Sequence, residues 1–192
     1  MSALVMNDML PRHRITVDEY YRMDEVGLLA PDVRTELIEG EVIEMPRMGS
    51  PHAGTVGQLQ YVFSPVINHR AQLRVQLPVR LDSYSEPQPD LAVVPSRKDF
   101  YRSRHPMAAD TLLIVEVSDS SLRFDRDMKV PLYARHQVPE VWLVDLEHNR
   151  IHFFRSPQNG VYTDASFTDK PAVVALTALP KFTVDLSELF AS

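Results

Sequence analysis

The segment TLLIVEVS, residues 111–118, constrains this chain more than any other stretch. Its length and β-branched content read as a buried strand. Side chains alternate faces along a strand, so Ile114, Glu116 and Ser118 share one face and Leu113, Val115 and Val117 the other. A glutamate among such neighbours is costly to bury unless it is paired or holds a metal ion. The alternative is a strand end open to water, and this stretch alone leaves both standing.

A second acid has a similar setting. Pro89-Asp90 opens the strand DLAVV, residues 90–94, and puts Asp90 on one face with Ala92 and Val94. Taken alone, Pro-Asp before a strand is ordinary turn chemistry. Asp90 and Glu116 together are two carboxylates on successive strands. Such a pair repels, and at least one pKa rises, unless a hard cation lies between them; magnesium takes such oxygen ligands together with water. Lys129 follows on the next helix. It is one of only four lysines in the chain, against 16 arginines. Asp125 four residues earlier offers it a surface ion pair. Its place beside the stripe of Met128, Leu132 and His136 aims its amine at the sheet instead, where it would stabilise charge on a reacting phosphate.

Composition narrows the classes. With 26 acidic against 20 basic residues and a net charge of −6, the chain is not one that coats nucleic acid through bulk charge, although a small basic cleft remains open to it. The absence of cysteine excludes disulfides, thiolate zinc sites and cysteine nucleophiles. No segment has the ~18 consecutive apolar residues of a membrane helix, and the N-terminus lacks the basic head of a signal peptide, so a soluble cytoplasmic protein is expected.

Residues 1–14 read as a disordered lead-in and 15–192 as one domain. Thr16 and Glu19 form a capping box, with Gly27 as a stop. TELIEGEVIEMP, residues 35–46, reads as a hairpin about Glu39-Gly40. Ser50-Pro51 starts a helix reaching about Arg70, which Pro65 should kink or end. Strands are expected at 74–82, 90–94, 111–118 and 141–145, with a helix from about Asp125 to Gln137. A terminal meander and a closing helical turn at VDLSELF follow. Interleaved strands and helices imply an α/β (α+β) domain around a mixed central sheet flanked by helices.

Pro89-Asp90, Glu116 in EVS, and Lys129 on the next helix resemble the PD-(D/E)XK nuclease pattern. More closely, ELIEGEVIEMP, PHAGTVGQL, PDLAVV, LIVEVSDSSLRFDRDMKVPLYA and PEVWLVD resemble the Uma-type restriction endonuclease family, from about Thr16 to Phe190. The resemblance implies a restriction-endonuclease-like fold and a magnesium-dependent phosphodiester hydrolase, manganese being a substitute ion. It implies duplex DNA as partner and a homodimer. It makes Asp90 and Glu116 the metal-binding acids, and Glu36 an acid that reaches the metal directly or through water. Where the motif's lysine should stand, two residues after Glu116, this chain has Ser118, so that role passes to Lys129. A nuclease-fold protein that binds nucleic acid or a protein partner without cutting is the competing reading, and a metal hydrolase of a non-nucleic substrate is a third.

Further candidates for substrate contact are His52 at a helix start and Arg123 and Arg126, with the basic cluster at 97–104. Glu39, Glu41 and Glu44 read as a solvated hairpin face. His148 and His152 have a helical metal spacing but lie in a turn and strand, where residues four apart are separated by ~13 Å, so they are set aside as ligands. Trp142 and Met128 read as packing.

Overall fold

The computed structural model describes residues 11–67 and 70–191. Residues 1–10 of the expected lead-in lie outside that range. Arg14, the last residue of that expected lead-in, lies on the hairpin, its Nε donating to the Glu39 carbonyl at 2.8 Å. Helix α1 spans Val17–Glu25, and the Thr16–Glu19 capping box is formed as expected. Strands β1 (Thr35–Ile38) and β2 (Glu41–Glu44) form the hairpin, turning on Glu39 and Gly40 with φ of 51° and 84°. Helix α2 (Ser50–Ile67) runs two residues past Pro65, so the missing N–H does not end it.

The central sheet has six strands: β3 (Ala71–Val75), β4 (Leu91–Pro95), β5 (Leu113–Ser118), β6 (Glu140–Asp145), β7 (Arg150–Gln158) and β8 (Val161–Thr168), in that spatial order. Only β5 and β6 are parallel; the other neighbours are antiparallel. A parallel pair needs a crossover. Residues 122–135 supply it as one helix, α3, assembled from an α turn (Leu122–Phe124), a π turn (Asp125–Lys129) and a second α segment (Val130–Arg135). Strands β9 (Val173–Leu176) and β10 (Leu179–Asp185) make a separate hairpin, not an extension of the meander.

Three sequence expectations are corrected. The strand expected at 74–82 lies at Ala71–Val75, because Gln76 takes a left-handed φ of 51° and Pro78 follows. The helix expected from Asp125 begins at Leu122 and carries the π turn. Val184 and Asp185, expected in a closing helical turn, end β10, and only a turn with Leu186 and Leu189 buried follows.

The sheet has two covered faces. On one, Leu91, Val93, Leu113, Val115, Val117 and Trp142 meet α2 through Phe63 and Leu59, together with the β9–β10 hairpin. On the other, Ala92, Ile114 and Val141 meet Val130, Leu132 and Tyr133 of α3 and Ile38 of the first hairpin. The alternation read along β5 is the observed one. Glu116 therefore points between α3 and the first hairpin, at the end of β5 where β4 begins.

Candidate active site

Asp90 precedes β4 and is 4 % exposed. Its Oδ2 accepts from the Val117 N–H at 2.9 Å, which ties it to the residue after Glu116. His52 Nε2 lies 3.1 Å from the same oxygen, and the Gln76 side-chain amide donates to Oδ1 at 3.2 Å. Burial alone would raise the Asp90 carboxyl; the hydrogen bond and charge of His52, with the Val117 and Gln76 donors, outweigh it and hold Asp90 below the usual carboxylate range. His52 is raised in turn, chiefly by its hydrogen bond to Asp90.

Glu116 is 2 % exposed. Its Oε1 accepts from Tyr133 at 2.6 Å and from Lys129 at 3.2 Å. Lys129, 1 % exposed, also lies 2.9 Å from Oε2 of the fully buried Glu36. Arg34 NH2 reaches Glu36 Oε1 at 3.5 Å and the Gln88 carbonyl at 2.8 Å. Desolvation pushes Glu116 up to about 8 even with Lys129 alongside. The buried ammonium is held charged by Glu116 and Glu36, whose attraction exceeds its own desolvation. Tyr133 is raised well above its ordinary value by burial and by these carboxylates. The cluster is thus one buried ammonium shared by two carboxyls, of which Glu116 is raised by its desolvation.

The π turn explains how a lysine on a helix reaches the sheet. The Val130 N–H bonds back to the Asp125 carbonyl, five residues earlier. That extra residue buries Asp125 and Lys129 together and leaves Arg126, Asp127 and Met128 outside. Asp125 does not pair with Lys129 on the surface; it accepts from the Ser118 hydroxyl at 2.7 Å and from Ser121. Ser118 therefore anchors the helix that carries Lys129.

Asp90, Glu116, Lys129 and His52 line one cleft, together with Arg34 and Arg47. Among the described residues no group of three or more His, Asp or Glu side chains has the geometry of a metal cage. The donors present fit magnesium nonetheless: it binds through one or two carboxylates and fills its remaining positions with water and substrate phosphate. Asp90 and Glu116 both line the cleft and would supply such a pair, and the Oε2 of Glu116 carries none of the hydrogen bonds found on Oε1.

Other candidates fall elsewhere. Of the basic loop, Arg97 pairs with Asp99 at 2.8 Å and Arg104 with Asp110 at 2.7 Å, so both guanidiniums have local partners. Arg126 pairs with Asp127 at 2.7 Å. Glu41 and Glu44 are exposed, and Glu39 pairs with Arg135 at 2.9 Å. Met128, expected to pack, is 44 % exposed, whereas Trp142 is fully buried. His148 and His152 are not the separated pair expected. His148 stands in the β6–β7 turn and meets Asp145 Oδ2 at 2.9 Å, with His152 3.9 Å from the same atom. Tyr133, Gln76 and Arg34 were not singled out from sequence; only the side-chain spacing of Tyr133, one turn after Lys129, hinted at it.

The family described as "Uma2: Putative restriction endonuclease" matches residues 17–187. A solved structure described as a "putative nuclease belonging to DUF820", from Anabaena variabilis, aligns with a TM-score of 0.68 at 19 % identity, covering 92 % of this chain and 98 % of that one. At that identity the likeness speaks to the fold. No curated protein matches significantly.

Proposed function

This chain belongs to the Uma2 restriction-endonuclease family, and on that premise we propose that it is a divalent-metal-dependent endonuclease, with magnesium as its ion and duplex DNA as its substrate. One observation carries the proposal: Asp90 just before β4, Glu116 on β5 and Lys129 on α3 border a single cleft. Asp90 and Glu116 would hold the ion. When bound, it supplies charge neutralisation at the scissile phosphate and eases deprotonation of the attacking water.

The chain's own residues supply the rest. An ammonium has three N–H donors. Glu36 and Glu116 take two from Lys129, and the third is left for the cleft that Lys129 lines. It orients the attacking water or meets the negative charge that builds on phosphate oxygen. Glu36 acts through Lys129, fixing its position and charge, and has no contact with the substrate in this scheme. Tyr133 fixes the rotamer of Glu116. His52, Gln76 and the Val117 N–H preset Asp90. Cutting both strands of a duplex takes two such clefts, so a homodimer is the assembly proposed. Among the described residues no helix is long and apolar enough to cross a membrane.

The test is conversion of supercoiled plasmid to nicked and linear forms. Cleavage should need magnesium or manganese, stop in EDTA, and vanish in Asp90→Ala and Glu116→Ala. Cleavage that persists in either variant or in EDTA overturns the assignment. Binding of DNA without cleavage under every metal condition would favour the non-cutting reading.

A further inference from the structure

The cleft has two neighbours. A hollow on the hairpin side shares Arg34, Met45, Pro46, Arg47 and Met48 with it. A second hollow, on the side of α3, shares Asp119 and Ser120 with it and is lined by Arg123, Arg126 and His148. The two hollows have no residue in common, and each adjoins the cleft that Asp90 and Glu116 line. Each hollow thus carries two arginines, while the cleft carries Asp90 and Glu116.

We infer that these hollows form a phosphate track, in which one backbone strand crosses the cleft with a neighbouring phosphate held by Arg47 on one side and by Arg123 on the other. This rests on the nuclease reading above and adds where the strand runs. It makes the substrate an internal phosphodiester, flanked by phosphate in both directions. A mononucleotide or chain-end phosphate would leave one hollow empty.

Three observations support it. The side chains of the exposed Arg47 and Arg123 make no hydrogen bond or ion pair among the described residues, unlike those of Arg97 and Arg104, which are bound to nearby acids. Arginine matches phosphate bidentately, and 16 of the 20 basic residues are arginine. A chain with net charge −6 cannot hold a polyanion by its overall field, so directed contacts beside the cleft must do it. Asp119 and Glu147 also line the second hollow, so its guanidiniums would act by direct contact and not through a broad positive potential.

The experiment measures binding of a fluorescein-labelled DNA duplex by anisotropy in EDTA, across a salt series. Each phosphate contact contributes about 0.9 to the slope of log K against log salt. Arg47→Gln and Arg123→Gln should each make the slope shallower by about 0.9, and the double variant by about twice that. Arg47→Lys and Arg123→Lys should restore most of the slope, because they keep the charge. Arg97→Gln should leave it unchanged. Unaltered slopes in both glutamine variants of a protein that binds and cuts DNA overturn the track and spare the nuclease reading. A change in only one variant also overturns it, since the strand would then be held on one side alone. A wild type that neither binds nor cuts nucleic acid overturns the nuclease reading, and the track with it.

Discussion

Replacing Glu116 by glutamine should make the metal-free protein more stable in alkaline buffer. The amide keeps an oxygen for Lys129 and Tyr133 and has the shape of the protonated acid. In the folded protein Glu116 is raised from 4.5 to about 8. Between those values the folded form holds a proton that the unfolded chain has lost, so wild-type stability falls as pH rises through this window. Below it both forms are protonated and Glu116 costs nothing; above it the full cost of a buried carboxylate is felt. At about 1.4 kcal/mol per pKa unit, the displacement corresponds to an upper bound of about 5 kcal/mol. For a chain of this size that is roughly 10–20 °C in melting temperature. Urea and thermal melts of both proteins in EDTA, from pH 5 to pH 9, give the test. The difference, variant minus wild type, should be near zero at pH 5 and grow by several kcal/mol by pH 9. A difference that stays flat across the range, or falls, would refute the buried, proton-holding carboxyl.

Three further outcomes follow from the same geometry. Lys129→Met should abolish cleavage and cost roughly 3–5 kcal/mol, because two buried carboxyls lose their ammonium; adding Glu36→Gln should return part of that stability in chemical denaturation without returning activity. Asp90→Asn should cost roughly 1–3 kcal/mol in EDTA, since one end of the amide must turn an N–H toward the Gln76 amide or toward the Val117 N–H and His52, and magnesium should no longer raise its melting temperature. Tyr133→Phe should lose about 1–2 kcal/mol in urea melts, the worth of its 2.6 Å bond to Glu116.

The sequence made the strand bearing Glu116 legible because its apolar alternation left an acid with nowhere ordinary to go. It marked Asp90 by the proline before it, and Lys129 by rarity. What it could not show was how the burden of two facing acids is divided. From sequence, at least one of the acids carries a raised pKa, and relief is expected on removing the Asp90 charge, as in Asp90→Asn. The structure surrounds Asp90 with donors and gives the excess proton to Glu116. Those donors come from Gln76 and His52, 14 and 38 residues away; the helix start at Ser50-Pro51 marks His52 as a candidate, but no local pattern ties either residue to Asp90. The π turn was hidden for a different reason. Helical periodicity in DRDMKVPLYA cannot register one extra residue, and that residue sets which side chains face in. The false strand at 76–82 arose because apolar alternation there continues through a left-handed glutamine. His148 and Asp145 meet through a turn whose tightness, at Asn149 with φ of 50°, spacing along a strand does not convey.

Diffraction from crystals soaked in manganese, read at the metal's anomalous edge, tests the central claim most directly. A single site should stand in the cleft, at about 2.1 Å from a carboxylate oxygen of both Asp90 and Glu116, with the remaining positions taken by water. The same soak of Asp90→Asn crystals should leave that site empty. No anomalous peak in the cleft, or a peak confined to Asp145, His148 and His152, would contradict the assignment of Asp90 and Glu116 as the metal-holding pair.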